Sequence, residues 1–180
     1  MTQTSTVEQQ TATAKYELTD ETIETPSGRK LHRIRALVAI AEIGVSVGDF
    51  GGFIEASKNL EQSGNARVYG DAWVYGDARV YGNALVYGNA QVSGNAWVSL
   101  SIHIGWFSNV GSERGTLTYF RQKDGSVCTN RGCFSGTLSD FEGAVKKRHG
   151  DSRIGQEYDL LIQFIRLRAS AWEVAQQEAA

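Results

Sequence analysis

The clearest pattern along the chain is a period of six. Gly-[Asp/Asn]-Ala-x-Val begins at Gly64, Gly70, Gly76, Gly82, Gly88 and Gly94. Its apolar positions are Ala66, Ala72, Ala78, Ala84, Ala90 and Ala96, then Val68, Val74, Val80, Val86, Val92 and Val98. Six residues do not suit a helix of 3.6 per turn, but they suit a short strand and a corner. Ala and Val lie two apart, so on a strand both face one side. Gly followed by Asn or Asp falls where a corner requires positive φ. Three strands and three corners make one eighteen-residue coil, whose narrow interior Ala and Val fill. A charge at Ala78 or Val80 should therefore abolish folding. Ile54 and Leu60 keep the six-residue phase of the alanines and Ile104 that of the valines, so a third, degenerate coil is expected.

The residues flanking each valine face outward, and those eighteen apart stack. One wall carries Arg67, Tyr69, Leu85 and Tyr87; a second Trp73, Tyr75, Gln91 and Ser93; the third Arg79, Tyr81, Trp97 and Ser99. Tyr69, Trp73, Tyr75, Tyr81, Leu85, Tyr87 and Trp97 are more apolar surface than water tolerates, so they form the candidate oligomer or partner surface. The C-terminal helix, a second subunit or a ligand are three possible covers.

Around this centre the pattern changes. Tyr16 to Ile23 and Leu31 to Leu37 read as a β-hairpin turning at Pro26-Ser27-Gly28. Thr116 to Phe120 and Ser126 to Thr129 read as a second hairpin around Lys123-Asp124-Gly125, and residues 132–136 as a loop. A helix capped by Thr137 or Ser139 follows, with Phe141, Ala144 and Val145 inward and His149 in its last turn. The last helix runs from about Ser152 to Gln177, with Ile154, Tyr158, Leu161, Ile162, Ile165, Ala169 and Trp172 on one stripe. Leu160, Phe164 and Leu167 extend apolar character to a second face, so burial on more than one side is expected. The resulting division is a disordered tail (1–14), an N-terminal hairpin with a lead-in coil (15–62), the repeats (63–104) and a C-terminal hairpin with two helices (105–180).

Composition narrows the functional classes. Net charge is −2 with both signs interspersed, so no field favours nucleic acid or an anionic membrane. No apolar run reaches membrane-spanning length, and residues 1–14 lack the apolar centre of a secretory signal. Cys128 and Cys133, the two cysteines, are spaced poorly for a metal and read as reduced thiols of a cytosolic protein. No cofactor and no metal site are expected.

The repeats resemble those of hexapeptide-repeat proteins, which implies a left-handed parallel β-helix. The same resemblance implies trimers around the prism axis. It also implies a possible acyl-CoA-dependent acyltransferase with His103 as general base, although neither an orienting carboxylate nor an acceptor loop accompanies that residue.

Further motifs extend the comparison across the chain. They are Arg33-Ile34-Arg35-Ala36-Leu37, Gly48-Asp49-Phe50-Gly51-Gly52-Phe53-Ile54-Glu55, residues 118–125, Arg131-Gly132-Cys133-Phe134-Ser135-Gly136-Thr137-Leu138, and His149-Gly150-Asp151. With the repeats they make the chain similar to a bacteriophage and prophage hexapeptide-repeat family. That likeness implies a fold and a phage setting and brings no activity.

The segment from His103 to Arg131 supplies the candidate ligand site: Trp106, Ser108, Ser112, Glu113, Arg114, Thr118, Arg121 and Arg131. An aromatic ring with hydroxyls and arginines suits a nucleotide or another phosphate ligand. The alternative is a surface loop whose Trp106 plugs the open end of the prism. The functional expectation is a phage-encoded, non-catalytic homo-oligomer, dimer or trimer, in the host cytoplasm. It would counter host defence by binding a host protein or a nucleotide-type signal. The acyltransferase and a structural piece of a virion are the alternatives.

Overall fold

The computed structural model of the protein describes residues 14–172; residues 1–13 of the expected tail, and the part of the expected last helix after Trp172, lie outside the described residues, and within them that helix ends at Ala169. Its strands are β1 (Tyr16–Glu24), β2 (Lys30–Ala36), β3 (Phe50–Ile54), the two-residue strands β4 (Arg67–Val68), β5 (Trp73–Val74), β6 (Arg79–Val80), β7 (Leu85–Val86), β8 (Gln91–Val92) and β9 (Trp97–Val98), and the longer β10 (Ile104–Val110), β11 (Gly115–Arg121), β12 (Val127–Arg131) and β13 (Phe134–Thr137). Two helices follow, α1 (Leu138–His149) and α2 (Arg153–Ala169).

The repeats form a parallel β-solenoid. Arg67 pairs with Leu85, Trp73 with Gln91 and Arg79 with Trp97, each eighteen residues apart, as three six-residue sides require. Every repeat alanine and valine is at most 1% exposed. The six repeat glycines hold φ between +62° and +72°, the left-handed corner that other residues resist. Each buried valine contributes roughly 1.5–3 kcal/mol, and alanine beside it leaves the room that a narrow interior needs.

The coil before the repeats departs from the expected phase. Ile54 pairs with Val74 and Leu60 with Val80, twenty residues apart, so both continue the valine columns. Two extra residues sit in the corner between Leu60 and Val68, and they shift the numbering phase without shifting the column. Asn59 completes this coil by donating its side-chain amide to the carbonyls of Gly76 (3.1 Å) and Ala78 (2.9 Å). A Cβ at Gly52 would stand 2.6 Å from the Ala72 carbonyl oxygen, so the glycine pair of β3 permits close approach to the coil below.

Each end of the prism is closed. At the N-terminal end the β1–β2 hairpin brings Tyr16 and Ile34 into the prism core. The buried Lys15 ammonium donates to the carbonyls of Ala66 (2.8 Å), Ser63 (3.2 Å) and Gly64 (3.4 Å).

At the C-terminal end lies the antiparallel sheet β10-β11-β12-β13. Its strands alternate sides: Ile104, Phe120 and Cys128 join the prism core, whereas Leu117 and Tyr119 join the helices. Consequently β11 is buried on both faces. Two expectations are corrected here. Residues 104–110 are strand rather than loop, because they pair with β11; residues 134–137 are strand because they pair with β12. The plug of the prism is the fully buried Phe120, not Trp106.

Thr137 caps α1 through reciprocal bonds with Asp140. Phe141 and Val145 point inward as expected, but Ala144 is exposed. Tyr158, Ile162 and Ile165 of α2 are buried with Leu117, Tyr119 and α1. The helices cover the sheet and do not cover the prism walls. Leu160, Phe164 and Leu167 are exposed among the described residues, correcting the expectation of a second buried face, although Phe164 meets Phe107 of β10 at its edge.

Candidate functional site

The outward aromatic residues form ordered stacks. On the first wall the Tyr69 and Tyr87 rings lie 4.9 Å apart and 13° from parallel, and Trp106 meets Tyr87 edge-on at 4.4 Å. The Arg67 guanidinium lies 4.7 Å from the Tyr69 ring centre, so one end of this ladder is cationic. On the third wall Tyr81 leans on Trp97 at 6.0 Å, with the Lys123 ammonium 5.2 Å from the Trp97 ring centre. Trp73 and Tyr75 of the second wall are half-buried. Tyr87 is the most open of these aromatic rings, at 42% exposure. Stacking on a solenoid converts a six-residue period into contacts between residues eighteen apart, which is why the wall composition was legible.

A groove of about 410 Å³ opens beside the first wall. Leu85, Tyr87 and Trp106 line one side, and Phe107, Tyr119, Phe164 and Arg168 line the other. Trp106 is seated by Gly88, where a Cβ would stand 3.1 Å from the indole Nε1. Phe107 and Phe164 meet edge-on at 5.6 Å. Arg168 also lies close enough to Tyr119 to interact with its hydroxyl. Phe107, Tyr119, Phe164 and Arg168 were missed from sequence. Only the alternation of β10 hinted at Phe107, and no local pattern brings residues of α2 to the repeat wall.

The remaining candidates of the His103–Arg131 segment are divided between places. Thr118 is 1% exposed, and its hydroxyl accepts from the Gln91 backbone N–H at 3.1 Å. It therefore finishes the open edge of β8, helped by the Asn130 amide, which donates to the Gln91 carbonyl at 2.9 Å. Arg131 donates to the Tyr158 hydroxyl (3.0 Å) and the Val110 carbonyl (2.9 Å), holding the β10–β11 turn against α2. Ser112, Glu113 and Arg131 border a second hollow, of about 370 Å³, with His149 and Tyr158. Glu113 also pairs with Arg148 at 3.4 Å on the surface. Ser108 and Thr116 share an exposed hydroxyl contact at 3.3 Å, and Arg114 occupies a positive-φ turn position at +48°. Arg121 lies at the far end of β11 and repels a proton from His103. Of the eight, only Trp106 faces the aromatic groove.

His103 is fully buried. Its Nδ1 accepts from the backbone N–H groups of Ser99 and Leu100, both at 3.4 Å, which leaves the ring proton on Nε2. Nε2 has no hydrogen-bond partner, and Trp172 lies edge-on to the ring at 6.0 Å. Burial, and then the charge of Arg121, lowers its pKa to about 4. The ring is thus a neutral closing piece at the end of the last coil, with no exposed surface to offer a substrate. Among the described residues no group of three or more His, Cys, Asp or Glu side chains is placed to hold a metal ion. No described helix is long and apolar enough to cross a membrane.

Parallel two-residue strands, eighteen-residue stacking and a filled prism define a β-solenoid repeat protein. Residues 63–76 and 78–94 match the family model of the YdcK beta solenoid repeat. No curated protein matches the chain.

Proposed function

We propose that the protein is a non-catalytic, oligomeric binding protein whose ligand occupies the aromatic groove beside the first wall. The observation that carries this reading is the groove itself: Tyr87 and Trp106 on one side, Phe107 and Phe164 on the other, and Arg168 among them. Aromatic faces with a guanidinium suit a planar base bearing phosphate, since stacking contributes about 1–3 kcal/mol per base and arginine pairs with phosphate oxygens. A nucleotide-type signal is the ligand class. The biological setting follows the resemblance to phage proteins: a left-handed hexapeptide solenoid, encoded by a phage, acting in the host cytoplasm against a defence pathway. The continuation of the ladder to Tyr69 favours, as a second reading, a host protein seated on the wall.

Native mass spectrometry of protein purified from phage-infected cells should retain a nucleotide, and calorimetry with that nucleotide should show binding. Tyr87→Ala, at an exposed ring, should weaken binding about tenfold or more, and Arg168→Ala likewise. Failure of any nucleotide to bind, with folding intact, would sink the ligand assignment. Binding left unchanged by both substitutions would place the site elsewhere.

A further inference from the structure

The apolar stripe on α2 has a composition that fits itself. Leu160 is 67% exposed, Phe164 45% and Leu167 72%, at spacings of four and three residues. On a helix these positions form one line, on the face opposite the buried Tyr158, Ile162 and Ile165. Charges flank the line in a particular order. Glu157 and Arg168 lie on one flank, Asp159 and Arg166 on the other, so both flanks are acidic toward the N-terminus and basic toward the C-terminus. Arg166 pairs with Glu142 and Glu157 accepts from the Gly111 N–H, contacts made at the surface or its margin, while Arg168 also interacts with the buried Tyr119.

We propose that α2 is a homodimer interface, in which a second copy lays its own α2 antiparallel across the Leu160-Phe164-Leu167 line. An antiparallel arrangement brings Glu157 opposite Arg168 of the other copy and Asp159 opposite its Arg166. The midpoint of Glu157 and Arg168 coincides with that of Asp159 and Arg166, between Ile162 and Gln163, so one two-fold axis satisfies both pairs and sits within a turn of Phe164. A parallel arrangement would place acid on acid and base on base. The helix is 17 residues long, roughly 25 Å, so the contact is small and association on the order of micromolar is expected. This inference rests on the oligomeric part of the reading above, and Phe164 and Arg168, which also line the groove, belong to both surfaces.

Sedimentation equilibrium of the full chain at 1–200 µM, a range of order-of-magnitude choice around micromolar affinity, should show reversible association from 19.7 kDa to twice that mass. Leu160→Glu with Leu167→Glu, both at open positions, should leave the circular dichroism unchanged and the protein monomeric. Asp159→Arg alone and Arg166→Asp alone should each weaken dimerisation severalfold, and an equimolar mixture of the two should restore it. A monomer throughout the range, a trimer, or a dimer indifferent to the leucine substitutions would overturn the proposal. Absence of rescue in the mixture would overturn the antiparallel arrangement. Nucleotide binding measured on the monomeric leucine variant keeps the ligand assignment separately open to failure.

Discussion

Tyr87 stacks on Tyr69 with their ring centres 4.9 Å apart. The two residues follow valines in adjacent coils, so the ladder hydrogen bond from the Tyr69 N–H to the Val86 carbonyl (3.0 Å) sets their spacing. The ring stack is thus a by-product of strand pairing, held without a turn or helix of its own. Trp106 meets the end of the ladder from β10, over Gly88 and outside the repeat register, beside the groove to which ligand binding is assigned above.

The plug at the C-terminal end should be a large contributor to stability. Phe120 is fully buried among prism residues although it belongs to the flanking sheet. Phe120→Ala should cost about 3–5 kcal/mol, read from urea unfolding followed by tryptophan fluorescence. A loss under 1 kcal/mol would mean that the sheet does not close the prism.

Lys15 should be a structural cation. Its ammonium donates to three backbone carbonyls of the first corner of the repeats, and burial lowers its pKa. Lys15→Met keeps the stem and removes the donors, so about 1–3 kcal/mol should be lost in thermal or urea unfolding. Unchanged stability would show that water serves these carbonyls equally well.

His103 makes stability depend on acid. Its pKa falls from 6.5 to about 4 on folding, because the buried ring resists a charge. Above pH 6.5 the ring is neutral in both states and its contribution is complete. As pH falls below that value the unfolded chain takes a proton which the folded chain refuses until about pH 4, so stability declines across this interval. Between pH 7 and pH 5 the decline from this group should be roughly 2 kcal/mol. His103→Asn should show a shallower pH profile in parallel urea titrations; identical slopes would exclude His103 as the source.

The two thiols should differ in reactivity. Cys133 is exposed in the β12–β13 turn, whereas Cys128 is buried and its pKa is raised by that burial. A thiol reagent such as dithionitrobenzoate should label one cysteine rapidly in the native protein and both in urea. Rapid reaction of both in the native state would contradict the burial of Cys128 against the prism.

Much of the fold was readable because the solenoid is built by local repetition. Six residues define a side, and the corner glycines, the buried Ala and Val and the outward aromatics each recur in register. The hairpin turns at Pro26-Ser27-Gly28 and Lys123-Asp124-Gly125 were readable for a related reason, since turn geometry selects its own residues. The candidate ligand segment was less legible. Its polar residues looked alike in sequence, yet strand alternation sends Thr118 to the prism and Arg131 to the helices.

By itself the amino-acid order determined the coil, its interior and the makeup of its three walls, because those depend on neighbours six and eighteen residues apart. Tertiary structure alone decided three further things. It placed Ile54 and Leu60 in the valine columns, through two extra residues in one corner. It made Phe120 the plug, and it set Phe164 and Arg168 beside Trp106. These depend on how a sheet and a helix dock against the end of the solenoid, and docking is governed by shape and burial across long separations that no local period records.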